Sequence, residues 1–140
     1  MLGPDEDPQA KSPAARLMGR EMLERDAKTR TAKLRFRASP DFLNRRGTIQ
    51  GGILAAMLDS VFGTTLAGTL QHGETIVTLE MKISFIRPVV PGTIYGNGRV
   101  VERGRSIAFL EGELRDDEGA LLATGTSTFR IARERVQEKT

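Results

Sequence analysis

Residues 51–70 read GGILAAMLDSVFGTTLAGTL, two glycines followed by an almost uninterrupted apolar segment. Apolar residues on every side of a helix are typical of a helix that lies inside a protein. We therefore predict a long buried helix from about Gln50 to Leu70. Asp59 lies in its middle, and burial of a carboxylate is costly unless the group has partners. This position indicates either a structural acid paired with a neighbour or a functional carboxylate.

Patterns on both sides of this helix predict the remaining elements. A modest apolar stripe predicts a short amphipathic helix over residues 13–25, and alternation predicts a strand with one solvated face over 31–37. The cleanest alternation in the chain predicts a strand over 77–85. Turn signals at 102–105 and 116–119 separate three further predicted strands, which cover 93–101, 106–115 and 120–131.

The order of these elements predicts the fold class. It is a helix, a strand, the long helix and then four strands in a meander, an α+β arrangement. The simplest packing is one antiparallel β-sheet wrapped around the long central helix, with a short N-terminal helix beside it. The open sheet edges favour pairing with a second copy of the chain. We predict one domain over 13–133, with flexible tails at 1–12 and 134–140.

Composition excludes several kinds of site. The 140 residues suit one domain, the net charge is only +3, and the absence of cysteine excludes disulfides, thiolate metal sites and cysteine nucleophiles. A single histidine, His72, argues against a Ser-His-Asp triad and against a multi-histidine metal site. No apolar run spans a bilayer and no apolar signal region begins the chain, which predicts a cytoplasmic protein with no membrane partner. No recognition motif favours nucleic acid.

Five residues around the long helix are candidates for chemistry. Gly51 and Gly52 begin it, and unpaired N–H groups at a helix N-terminus can form an oxyanion hole, although a tight loop-to-helix junction is the commoner explanation for such a pair alone. Asn44 and Gln50 in the preceding loop can bind a substrate or act as turn and cap residues. Thr78, on the polar side of its alternating strand, can hold a water molecule or lie unused at the surface.

In combination, these residues form a motif. Asn44 to Asp59 read N-x5-QGG-x6-D, followed by TLEM at residues 78–81 and FIRP at 85–88. Over residues 30–132 the chain resembles the hotdog-fold acyl-CoA thioesterases, in particular the phenylacetate-pathway and 4-hydroxybenzoyl-CoA branch. The resemblance implies a hotdog fold and the hydrolysis of acyl-CoA thioesters to a free acid and CoA.

The resemblance also implies a role for each residue. The Gly51 backbone amide polarises the thioester carbonyl, and Asp59 acts as general base or as nucleophile. Asn44 positions the nucleophilic water or the thioester, and Thr78 helps to hold the water. Gln50 lies where the family usually has a histidine. A glutamine can keep a hydrogen bond to the thioester, but it cannot make that bond from a protonated side chain as a histidine can. The family's site lies at a homodimer interface, with glycine and acid from different subunits, and dimers pair into homotetramers.

Substrate binding is predicted at the turn Arg103, Gly104, Arg105 and Ser106, together with Gly52. Arginines in a turn can bind the phosphates of CoA, although a solvated turn explains them equally well. No metal is predicted, since the chain has no cysteine and one histidine. No separate cofactor is predicted, because CoA is part of the substrate. Two alternatives stay open: a hotdog hydratase or dehydratase, which usually uses a histidine, and a non-catalytic acyl-CoA-binding protein.

Overall fold

A computed structural model describes residues 12–133. The predicted tails lie outside this range except for Ser12, whose side chain caps the first helix by accepting a hydrogen bond from the Ala15 N–H at 3.1 Å. The elements in chain order are α1 (Pro13–Leu17), β1 (Glu21–Asp26), β2 (Thr31–Ala38), a 3-10 turn (Pro40–Phe42), α2 (Gly51–Ala67), β3 (Glu74–Phe85), β4 (Gly92–Arg103), β5 (Ile107–Asp116) and β6 (Leu121–Arg133).

Within these residues, six antiparallel strands form one sheet in the order β1-β2-β4-β5-β6-β3. Helix α2 packs against one face of this sheet, and its side chains Met57, Leu58 and Phe62 are fully buried there. Ala32, Leu34 and Phe36 of β2 are buried as the alternation predicts. The predicted hotdog arrangement, a sheet wrapped around a long helix with a short N-terminal helix, is confirmed.

The predicted four-strand meander is wrong for β3. Strands β4, β5 and β6 form a meander, but β3 pairs with β6 and lies at the edge of the sheet. Ile83 of β3, for example, is opposite Gly125 of β6. Turn residues identify the two later hairpins but carry no information about the partner of β3. The loop from Ile86 to Pro91 carries the chain from the sheet edge to β4.

The helix predicted over 13–25 is wrong beyond residue 17. The chain reverses at Gly19, whose φ is 59°, and β1 then pairs with β2, with Glu21 opposite Arg35. Glycine is required at this turn because a Cβ there would lie 2.9 Å from the Cβ of Arg37. Met18 and Met22 are both buried, so their spacing of four residues suits this turn and strand as well as a helix.

A row of small residues brings the sheet close to α2. These residues are neighbours across β2, β4, β5 and β6: Ala32, Gly98, Gly112 and Gly125. A Cβ at Gly98 would lie 2.3 Å from Thr65 Oγ1, and one at Gly112 would lie 2.8 Å from Phe62 Cε1. Glycine at these positions therefore lets α2 approach the sheet more closely than a side chain would permit.

None of the helices in residues 12–133 is long and apolar enough to cross a membrane. The longest of them, α2, has 17 residues. The cytoplasmic location and the absence of membrane and nucleic-acid partners stay predictions.

Candidate active site

Asp59 lies on a side of α2 that the sheet leaves partly open. Its carboxylate is half-buried, and Gly52 and Ala56, along the same side of the helix, are exposed. Thr78 Oγ1 donates a hydrogen bond to Asp59 Oδ1 at 2.7 Å. Across residues 12–133, Asp59 forms no ion pair. The prediction of full burial is therefore wrong for a single chain, in which the acid keeps one hydroxyl partner and access to solvent.

Thr78 reaches this carboxylate because β3 contains a β-bulge. The strand pairs Thr78 with Phe129 and Glu80 with Thr128, so Leu79 between them has no partner residue. An extra residue in one strand of a pair reverses the faces to which the following side chains point.

The bulge explains why simple alternation misplaces part of β3. Met81 and Ile83 pack against the core as the alternation predicts, but Val77 and Leu79 are 56% and 53% exposed. Thr78 lies against α2 and not on the solvated face. Thr78, which contacts Asp59, and the core side chains Met81 and Ile83 thus lie on the same face of β3.

The N-terminus of α2 forms the other half of the candidate site. Gly51 and Gly52 are the first residues of the helix, so their N–H groups have no acceptor inside it. Elsewhere in the described part of the chain, neither group has a backbone acceptor. The ring of Phe85 lies beside Gly51, with its Cζ 3.5 Å from the place a Cβ would take. A cavity of about 330 Å³ adjoins this point, lined also by Leu54 and residues 86–89.

Gln50 and Asn44 lie in the loop before α2, with different contacts. The carbonyl of Gln50 accepts a hydrogen bond from the Ile53 N–H at 2.9 Å, while its exposed side chain makes no capping bond. Asn44 Oδ1 accepts from the N–H groups of Arg46 at 2.9 Å and Thr48 at 3.2 Å, and its Nδ2 donates to Thr48 Oγ1 at 3.0 Å. The Asn44 side chain therefore fastens the turn, and its catalytic role stays a prediction.

The predicted phosphate-binding turn lies near the C-terminal end of α2. Arg103 Nε donates to Thr69 Oγ1 at 3.4 Å, and its guanidinium forms an ion pair with the buried carboxylate of Glu74. The Gln71 N–H donates to that carboxylate at 2.7 Å. This bond, helped by the charge of Arg103, holds the pKa of Glu74 below its usual value against the opposing effect of burial.

The rest of the turn is more open. Its geometry is set by the Gly104 N–H, which donates to the Ile107 carbonyl at 2.8 Å. Arg105 and Ser106 are exposed. Because Arg103 is paired with Glu74, Arg105 is the arginine of this turn that is open to a ligand.

Gly51 and Asp59 do not meet within one chain. They are eight residues apart on one helix, which separates them by about 12 Å along its axis. An oxyanion donor and a group that activates water must both lie within about 3 Å of the atoms that they serve. The structure thus brings Thr78 to Asp59, and Gln50 to the two glycines, as two separate halves of a site.

No metal centre is evident among residues 12–133, where no three histidine, aspartate or glutamate side chains converge. His72 lies exposed in the turn before β3. The predicted absence of a metal or cofactor stays a prediction.

Phe85 is a candidate site residue that the sequence does not reveal. The alternation of residues 77–85 predicts it as a core side chain, whereas it is 53% exposed and lies beside Gly51. The two residues are far apart in sequence, and no local pattern signals their contact.

Comparison with known proteins agrees with the fold and the motif. Residues 46–123, which include Gly51, Asp59 and Thr78, match the family model of the thioesterase superfamily. The crystal structure of a phenylacetic acid degradation-related protein from Ralstonia eutropha superposes with a TM-score of 0.83 at 36% identity, covering 88% of this chain and 93% of that one. Mouse acyl-coenzyme A thioesterase 13 is 30% identical over 87 residues, 61% of each chain. The medium/long-chain acyl-CoA thioesterase YigI of Shigella flexneri is 26% identical over 134 residues, 85% of each chain. With a family match over more than half of its length, this chain belongs to the thioesterase superfamily.

Proposed function

We propose that the protein hydrolyses acyl-CoA thioesters to a free acid and CoA. The observation that carries this proposal is the pair formed by Thr78 and Asp59. The Asp59 carboxylate is partly buried, accepts a hydrogen bond from the Thr78 hydroxyl at 2.7 Å and is not neutralised by a cation. A carboxylate in this position has lone pairs left to accept a proton from water. The names of the mouse and Shigella relatives support acyl-CoA as the substrate class.

The reaction needs three things that these residues can supply. The Gly51 N–H polarises the carbonyl and stabilises the negative oxygen that develops on it. Asp59 takes a proton from water while the water oxygen bonds to the carbonyl carbon, and the tetrahedral intermediate then breaks its C–S bond. The sulfur leaves as the CoA thiolate and is protonated, so the products are a carboxylic acid and CoA. In the alternative route, Asp59 attacks the carbonyl carbon itself, the C–S bond breaks and the CoA thiolate leaves. Water then hydrolyses the resulting anhydride, which gives the carboxylic acid and restores Asp59.

The site lies, in this proposal, between two subunits. The separation of about 12 Å between Gly51 and Asp59 of one chain is too long for a single thioester. Strand β3 lies at a sheet edge, and edge strands pair readily with a second copy. A twofold dimer that pairs the two β3 edges would bring Gly51 of one subunit towards Asp59 of the other. The pairing of such dimers into tetramers stays a prediction.

The CoA part of the substrate extends from this interface to the turn at residues 103–106. Arg105 would bind a phosphate of CoA, with Ser106 as a further donor and Gly104 permitting close approach. Arg103 contributes indirectly, because its ion pair with Glu74 fixes the start of the turn. At the reacting end, Gly52 adds a second N–H, while Gln50 and Asn44 orient the thioester or the water.

Thiol release from short, long and aromatic acyl-CoAs tests the reaction. Asp59→Asn is compared with wild type, and Asp117→Asn, an exposed carboxylate in the β5–β6 turn, makes the same change of charge elsewhere. We expect Asp59→Asn to fold and to lower turnover by about 10²-fold or more, and Asp117→Asn to remain active. Full turnover in folded Asp59→Asn would exclude it as the catalytic carboxylate.

Mixing two inactive variants tests the location of the site. If each site takes Gly51 from one subunit and Asp59 from the other, a mixed dimer of Gly51→Ala and Asp59→Asn contains one intact site. Random mixing should then restore about a quarter of wild-type activity, because half of the dimers are mixed and each has one good site of two. If both groups came from one chain, every site would carry a defect and no activity would return.

Two further measurements distinguish hydrolysis from the two alternatives, a non-catalytic binding protein and a hydratase or dehydratase. A binding protein would retain acyl-CoA without releasing thiol, as detected by calorimetry. A hydratase or dehydratase would change the acyl chain and leave the thioester intact, as detected by mass spectrometry of the products.

A further inference from the structure

Strand β3 has two competing arrangements. A regular strand would place Val77, Leu79, Met81 and Ile83 on one face, and burying all four apolar side chains there would be favourable. The bulge exposes Val77 and Leu79 and turns Thr78 towards α2. A regular register would instead move Thr78 to the opposite face. The bulged form must therefore be held by contacts that the regular strand does not make.

Glu80, directly after the bulge, is held from both faces of the sheet. On the side of α2, Ser127 Oγ donates to the Glu80 carbonyl at 2.8 Å. On the outer side, Thr128 Oγ1 donates to Glu80 Oε1 at 2.7 Å. The main chain and the side chain of one residue are thus both fixed by the neighbouring strand β6.

Ser127 is an unusual residue for its position. It is 2% exposed, and the other inward-facing side chains of β6 nearby, Ala123, Phe129 and Ile131, are apolar. A buried hydroxyl is costly unless it makes a hydrogen bond. A bulge disrupts the ladder locally, and a backbone carbonyl in the interior needs a donor. The hydroxyl of Ser127 and the carbonyl of Glu80 satisfy each other.

We propose that Ser127 is a positioning residue for the reaction, which fixes the bulge at Leu79 and thereby keeps Thr78 Oγ1 within hydrogen-bonding distance of Asp59. The proposal rests on the function proposed above for its kinetic consequences. Ser127 touches neither the substrate nor Asp59, and it acts through Glu80 and Thr78. Its effect should therefore appear in kcat and disappear when the Thr78 hydroxyl is already absent.

The kinetic test uses Ser127→Ala, with Thr126→Ala as the matched control, since Thr126 loses a hydroxyl from the same strand at an exposed position away from the bulge. We expect Ser127→Ala to lower kcat about three- to tenfold with KM changed less than twofold. Thr126→Ala should match wild type. In a Thr78→Val background, Ser127→Ala should cause no further loss. An equal further loss there, or full kcat in the single variant, would overturn the proposal.

Two additions keep this test independent of the proposed activity and of folding. Crystal structures of wild type and Ser127→Ala should show the distance from Thr78 Oγ1 to Asp59 Oδ1 growing from 2.7 Å to beyond 3.5 Å. An unchanged distance would overturn the proposal even if the wild type released no thiol. If Ser127→Ala does not fold, Thr128→Ala removes the outer contact with Glu80, and it should shift the same distance or lower kcat in the same way. No change in Thr128→Ala would then count against the proposal.

Discussion

Gly98→Ala is expected to destabilise the fold strongly, because α2 occupies the space that a side chain at this position would need. The added Cβ would lie 2.3 Å from Thr65 Oγ1 and 2.9 Å from Val61 Cγ1. Thr65 cannot turn away freely, since its hydroxyl donates to the Val61 carbonyl at 2.7 Å. The extra methyl group must therefore displace the helix or break this hydrogen bond.

The size of the effect follows from these two contributions. Overpacking a core costs about 1–3 kcal/mol, and loss of one buried hydrogen bond adds about 1 kcal/mol. The free energy of unfolding should fall by about 2–4 kcal/mol. For a domain of this size, each kcal/mol shifts Tm by about 3–5 °C, so Tm should fall by about 6–20 °C.

Urea unfolding and thermal melts of four proteins test this reasoning: wild type, Gly98→Ala, Thr65→Ala and the double variant. Removing the Thr65 hydroxyl relieves the shortest contact, so Gly98→Ala should cost at least about 1 kcal/mol less in the Thr65→Ala background. Gly52→Ala, where a Cβ has open space, serves as the control for a harmless glycine replacement. A loss below about 0.5 kcal/mol for Gly98→Ala, or an equal loss in both backgrounds, would refute the reasoning.

Three further predictions concern the site and its surroundings. Thr78→Val should lower kcat about tenfold and Tm by about 5 °C or less, because one part-buried hydrogen bond to a charged group is lost; unchanged thiol release would remove Thr78 from the site. Gly51→Ala should keep its Tm, since the new Cβ would meet Phe85 at an ordinary 3.5 Å, and should lose turnover by crowding the carbonyl; normal kinetics would argue against the amide role. Glu74→Gln should be less stable than wild type at pH 7. Because the pKa of Glu74 is lowered in the folded state, its ionised carboxylate stabilises the fold above the unfolded-state pKa, and this stabilisation is lost as pH falls through the folded-state pKa. The difference in the free energy of unfolding between wild type and Glu74→Gln should therefore narrow between about pH 5 and pH 3. Urea titrations at several pH values measure this difference, and a gap independent of pH would contradict it.

Local sequence patterns correctly predict the elements in which the periodicity of apolar residues matches the pattern of burial. The apolar stretch after Gly51 forms α2, and the alternation around Leu34 forms β2, because periodicity and burial agree there. The motif assigns Thr78 and Asp59 to one site, but the hydrogen bond between these two residues, 19 positions apart, was not predicted. The alternation of β3 taken by itself placed Thr78 on the wrong face.

The incorrect predictions share a physical cause. Each concerns a feature that is decided by contacts with residues distant in the sequence. Met18 and Met22 fit a helix as well as a turn and strand, and only pairing with β2 decides between them. The bulge at Leu79 is stabilised from β6, 47 and 48 residues beyond Glu80, by Ser127 and Thr128. Nothing in the sequence around residues 77–85 records those contacts.

The difference between predicted and observed burial of Asp59 bears on the assembly. The composition of α2 is apolar on nearly every side, which is typical of a helix covered all round. One chain nevertheless leaves Gly52 and Ala56 exposed and Asp59 only partly buried. In the proposed dimer, a second subunit would cover this side, bring its own Gly51 towards Asp59 and shield the carboxylate from bulk water. The apolar character of α2 and the separation of the two halves of the site then have one explanation, and the mixed-variant experiment tests it directly.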